Sequence, residues 1–233
     1  MTGANHVFSH IMLLTVPIQH TMNTRRLPLT GNRLLLFLLL CLSIVDLQAQ
    51  SLEIMPGDKR VFADVQWLKG ITPNYRWTVF SRTRATVDYD GNTDLFSGAY
   101  LNYTTSSGVG LSLVGRIASS GAGADIGPHF FKATKVWTVF ALPTISIQQN
   151  LQYSWFSIVR FEPVLGKKWK LYSSVELFSA FQSAGHAFSV QRLRLGFTRA
   201  GYSFGLANNL SEAGPDLSNL NNNFGVFFRR QFE

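Results

Sequence analysis

From residue 75 onward the charged side chains recur singly, at alternate positions of apolar runs: Arg82 and Arg84, Arg116, Arg160 and Glu162, Glu176, Arg192 and Arg194. Arg76 and Arg229 continue the same pattern. Guanidinium and carboxylate groups brought face to face form bidentate ion pairs. The arginines outnumber the carboxylates, so some positive charge is left over that would favour an anion in a pore. Residues for nucleophilic or acid–base chemistry are scarcer. Beyond residue 50 the histidines are His129 and His186. Ser189 follows His186 by three residues, which in a regular strand puts it on the opposite face. His129 follows Pro128 and has no neighbours at metal-ligand spacing. Asp88, Asp90, Asn92 and Asp94 alternate around Tyr89-Asp90-Gly91 like a calcium loop, but no glutamate closes the loop where one is required. Asp and Gly at a hairpin tip account for the segment more simply. Gly108-Val109-Gly110 and Gly121-Ala122-Gly123 precede no helical pattern, so they are strand glycines and not phosphate loops. The expectation is a protein without a catalytic residue, cofactor or metal.

Alternating charges need strands to carry them. The apolar residues between the charges follow a two-residue period, and turn residues break the chain into ten segments. These are Tyr75 to Tyr89, Asp94 to Tyr103, Gly108 to Ala118, Ala122 to Lys132, Lys135 to Gln148, Leu151 to Pro163, Lys168 to Gln182, His186 to Thr198, Gly201 to Leu210 and Asn221 to Phe232. At about 10 to 15 residues each, they suit tilted membrane strands. The reading is an all-β, antiparallel transmembrane barrel of about ten strands, with eight or twelve as alternatives. A charge facing lipid at mid-depth costs about 2–4 kcal/mol for Arg or Lys, so the charged face should be the lumen. A soluble sandwich or lipocalin-like barrel would instead place polar residues outside, and Val109/Leu111/Leu113 or Trp155/Val159/Phe161 would make a poor water-facing surface. Tyr75, Trp77, Tyr103, Trp137, Trp169, Tyr202 and Phe232 gather at one set of strand ends. Tyr89, Tyr153 and Trp155 gather at the other, as two aromatic girdles would.

The N-terminus fits that destination. Arg25-Arg26 and Arg33, the apolar run Leu34 to Val45, and Ala49 have the order of a secretory signal peptide, with cleavage expected after Ala49. The run is shorter than the roughly 20 residues of a membrane-spanning helix. Met22 is a candidate start, which would make the residues before it an over-extended reading frame. Cys41, the single cysteine, lies within the apolar run behind Leu40, so neither a lipid anchor nor a disulfide is expected. Cleavage leaves 18 basic and 12 acidic residues, a net +6. The basic residues are dispersed along strands, which excludes a nucleic-acid surface. Residues 1–49 are therefore read as signal peptide, 50–74 as an N-terminal periplasmic segment and 75–233 as the barrel. Within 50–74, Val61, Ala63, Val65 and Trp67 alternate, and Arg60 to Leu68 is taken as a hairpin partner or an inward-tucked strand.

The last strand puts Phe224, Val226, Phe228 and Phe232 on one face and ends on an aromatic residue. In this the chain resembles the small bacterial outer-membrane β-barrel proteins, with Gly225, Phe228 and Phe232 resembling the signal read by the barrel-assembly machinery. Arg230 at an apolar position and Glu233 after the aromatic residue depart from the strictest form. The resemblance implies a Gram-negative outer-membrane location, contact with outer-membrane lipids and that assembly route, without an activity. For the role, a filled, arginine-rich lumen with a structural or interaction function is expected first. A narrow, porin-like channel for small anionic solutes comes second, and a lipid-modifying enzyme third.

Overall fold

The computed structural model describes residues 50–119, 121–148, 151–217 and 219–232; the segment read as a signal peptide lies outside the described residues. Twelve strands run in sequence: β1 (Ser51–Pro56), β2 (Arg60–Gly70), β3 (Trp77–Asp88), β4 (Thr93–Thr104), β5 (Val109–Ala118), β6 (Gly121–Ala133), β7 (Trp137–Ser146), β8 (Tyr153–Phe161), β9 (Lys170–Gln182), β10 (Gly185–Arg199), β11 (Tyr202–Ala213) and β12 (Asn219–Gln231). Each pairs antiparallel with its sequence neighbours, and β1 closes the ring on β12, with Ser51 opposite Gln231 and Ile54 opposite Phe228. Closure leaves no sheet edge to satisfy. Among the described residues no helix is long and apolar enough to cross a membrane, which says nothing about a barrel.

The count of ten is corrected to twelve, and much of 50–74 is barrel wall and not a separate segment. Ser51 to Met55 alternates buried and half-buried residues, and Ser51 to Pro56 pairs with Val61 to Gln66 as a hairpin. This hairpin adds two strands, so parity is kept and both ends of the ring's seam stay on one side. The pairing of Arg60 to Leu68 in a hairpin was legible in the sequence; its membership of the ring was not, because its six-residue partner is too short to register as a period.

Alternation sorts the side chains. Leu101, Leu111, Leu113, Leu195, Leu206 and Val226 are exposed on the outside. Their strand neighbours Asn102, Ser112, Arg194, Ala207 and Phe227 are buried inside. Ala200 and Gly201 join β10 to β11 with φ of 49° and 77°, the two positive values a two-residue type I′ hairpin needs. In β10 the register slips between His186 and Phe188, leaving Ala187 as an extra residue in a β-bulge.

Candidate functional site

The ring order puts β3 and β9 diametrically opposite, with five strands between them whichever way one counts. Ion pairs nevertheless join them. Glu176 on β9 meets Arg82 of β3 at 2.7 Å and also bonds Arg84 of β3, while Arg192, its direct cross-strand partner on β10, donates at 2.6 Å. Asp64 of β2 completes the cluster with Arg82 at 2.5 Å and Arg84 at 3.7 Å. Every side chain here is at most 14% exposed, so the bridges cross the lumen through the protein and not through open water. A second group sits beside it, where Arg194 donates to Glu53 at 2.8 Å and Arg229 stands 4.0 Å from the same carboxylate. Apolar contacts fill the gaps: Met55, Phe62, Tyr172, Ala207 and Phe227 form one buried cluster, and Arg192 lies over the Phe62 ring at 5.2 Å.

The structure thus brings Arg82, Arg84, Glu176 and Arg192 into one cluster and sends Arg194 to Glu53 instead. Arg116 is apart, paired with Asp125 across its own hairpin at 2.7 Å. Among the described residues Arg160 makes no ion pair; its Nη2 donates to Gln66 at 3.4 Å, again from opposite sides of the ring. Glu162 follows the end of β8 at Phe161 and makes no ion pair among the described residues, although its charge acts on Arg160. The acids that sequence reasoning missed are Glu53 and Asp64, both on the strands it left out of the ring, and Asp125 on β6. Their signal was present: Val61, Ala63 and Val65 on one face put Asp64 on the other, and Ser51-Leu52-Glu53-Ile54 alternates likewise. Among the described residues no group of three or more potential ligands could hold a metal. His129 is buried, with Nδ1 2.8 Å from Ser112 Oγ and Nε2 2.9 Å from Thr104 Oγ1.

Below the cross-lumen cluster, at the end that carries Gln50 and Phe232, the barrel opens into a cavity of about 1170 Å³. Arg160 and Arg229 stand within it. Arg76, Lys167, Lys168, Lys170 and Arg199 surround its mouth. None of the residues lining it is Asp or Glu. Phe80, Phe140, Phe156 and Ile158 belong both to its wall and to a second apolar cluster.

One constellation lies outside the lumen. Because Ala187 is the extra residue of the bulge, His186 and Ser189 share the outward face, contrary to the expectation from regular alternation. His186 Nε2 is 2.7 Å from Ser189 Oγ, and its Nδ1 is 2.8 Å from the Gly214 carbonyl, which can only accept. Ser189 Oγ donates to Ser179 Oγ at 2.8 Å, and Glu212 is the cross-strand partner of Ser189 on β11. The exposed rings of Tyr153, Trp155 and Phe181 flank this group, in the belt predicted for the outer girdle.

No family model matches the chain, and no curated protein matches it. Solved structures do. The NanC porin superposes with a TM-score of 0.50 at 9% identity, covering 78% of this chain and 98% of that one. The KdgM porin gives 0.48 at 10% identity over 78% and 98%, and LpxR from Salmonella typhimurium 0.45 at 7% identity over 78% and 100%. Its fold is that of the bacterial outer-membrane β-barrels. Identities this low carry the fold alone. In this outer-membrane-type barrel two of the residues compared with the assembly signal lie on β12: Phe228 is exposed on the outer face, and Gly225 packs against the β1–β2 turn at Gly57. Phe232 follows β12 at the cavity mouth, beneath the Arg230 guanidinium at 4.9 Å.

Proposed function

We propose that the mature chain is a Gram-negative outer-membrane protein whose lumen is sealed, so that it serves as a structural or interaction barrel and not as a conduit. The observation that carries this is the pair of bridges from Glu176 to Arg82 and Arg84, which tie opposite walls together at mid-lumen. Solute passage would have to break them, leaving buried charges unpaired at several kcal/mol each. The signal segment, the apolar outer face and the two aromatic belts support residence in the outer membrane, with the cavity mouth toward the periplasm. Planar-bilayer recording tests the role: a sealed barrel gives no stable open level, and a steady anion-preferring conductance would replace this reading with the narrow channel. Fractionation tests the place. Recovery of the protein in soluble periplasm after a high-salt wash would end the membrane assignment.

The His186–Ser189 contact favours a second reading, a lipid-modifying enzyme working from the outer leaflet. There Ser189 Oγ would attack an acyl carbonyl carbon while its proton passes to His186 Nε2, which returns it to the leaving alkoxide; water then releases the acyl group. Labelling with a fluorophosphonate decides between the two. Incorporation lost in both Ser189→Ala and His186→Ala would support it, and no incorporation into the folded wild type would dismiss it.

A further inference from the structure

We infer that the periplasm-facing cavity is a binding site for a single-chain anionic amphiphile, its carboxylate or phosphate held between Arg160 and Arg229 and its chain laid on the apolar floor. This rests on the sealed-lumen reading, which makes the cavity a closed-ended vestibule. Its cations are what distinguish it. Arg229 is 5% exposed, and its Nη1 and Nη2 donate to Tyr172 and Ser51, but its Nε has no partner. Arg160 Nε has no partner either; its side chain hydrogen-bonds the neutral Gln66, and although the Glu162 charge acts on it, no carboxylate forms an ion pair with it among the described residues. Neither guanidinium has a carboxylate within hydrogen-bond distance among the described residues, and a bound oxyanion would supply the opposite charge. Glu53 accepts from Arg194 through Oε1 at 2.8 Å, while its Oε2 stands 4.0 Å from Arg229, beyond hydrogen-bond reach.

The ligand's shape follows from the rest of the wall. A cavity of about 1170 Å³ is far larger than an inorganic oxyanion requires, and it lies just above the usual range of ligand pockets. Phe80, Phe140, Phe156 and Ile158 offer apolar surface. The lysines at 167, 168 and 170 ring the entrance, where they raise the local concentration of anions and repel cations. An alkyl chain with one acidic head satisfies both surfaces. Such a head could come from a fatty acid or from a phosphate-bearing lipid, and the two differ in the acid they present.

The test is calorimetric titration of the full mature barrel, folded in neutral maltoside detergent, with decyl phosphate and with decanoate, each below its own micelle concentration. Saturable one-to-one binding of either supports the site, and whichever acid binds more tightly identifies the source. Decyltrimethylammonium should not bind, inorganic phosphate alone should bind at least tenfold more weakly, and removing two methylenes should weaken binding roughly tenfold. The double variant Arg160→Gln/Arg229→Gln should lose at least tenfold in affinity. Should that variant fail to fold, Lys167→Glu/Lys168→Glu, confined to a loop, should slow and weaken binding. No saturable binding, equal binding of the cationic amphiphile, or affinity unchanged in these variants would overturn the proposal. Conductance on the same preparation separates the two claims: a conducting barrel that binds loses only its seal, and a sealed barrel that does not bind loses only this site.

Discussion

Replacing Glu176 with glutamine removes the carboxylate that joins the two walls while keeping its size. Arg82, Arg84 and Arg192 share Glu176 and Asp64, so the change takes the cluster from three cations and two anions to three and one. Glu176 is 7% exposed at its side chain, so solvent does little to screen the surplus. Breaking a buried pair from one side costs about 3–5 kcal/mol. At roughly 2–4 °C per kcal/mol for a domain of this size, the midpoint should fall by about 6–20 °C. The assay is heat-dependent mobility in a detergent gel, which separates folded from unfolded barrel as temperature rises. Glu212→Gln, outside the lumen on β11, is the comparator and should shift the midpoint by no more than a degree or two, roughly the effect of a surface substitution. Adding Arg192→Met to Glu176→Gln removes one of the stranded cations and should recover part of the loss. Equal shifts for the two glutamates would refute the inward network. So would a double variant less stable than the single by the full sum.

Mass spectrometry of the protein purified from membranes should find Gln50 at the amino terminus; retention of any of 25–49 would contradict the signal reading. Deleting 51–70 removes β1, β2, Glu53 and Asp64 together, and the product should lack the heat-dependent gel shift, since ten strands cannot close on the present register. A normal shift would show that the first hairpin is dispensable. Gly201→Val forces a β-branched residue to a φ of 77° and should lower stability by about 1–2 kcal/mol, whereas Gly115→Ala, whose new methyl meets nothing within 4 Å, should be close to neutral.

The two-residue period was enough to establish antiparallel strands, which side of each faces the lumen, and the pairing of position 176 with 192, because alternation and hairpin length are local properties of the chain. The terminal aromatic strand read equally well without a structure. What the period could not say is which strands stand opposite one another. That depends on the total count, and the alternation of β1, though present, is too short at six residues to be told from a loop. With it went Glu53 and Asp64, so the lumen looked richer in unpaired arginine than it is. The bulge at Ala187 was also hidden: one inserted residue reverses the facing of everything before it, and no residue type announces it. Sequence determined the faces of the wall, since each face is decided within two residues of chain. Only the closed ring decided that Glu176 reaches Arg82 and Arg84 across it, and that Arg160 and Arg229 share a cavity, because contacts across a lumen are set by ring size and stagger and not by any neighbour along the strand.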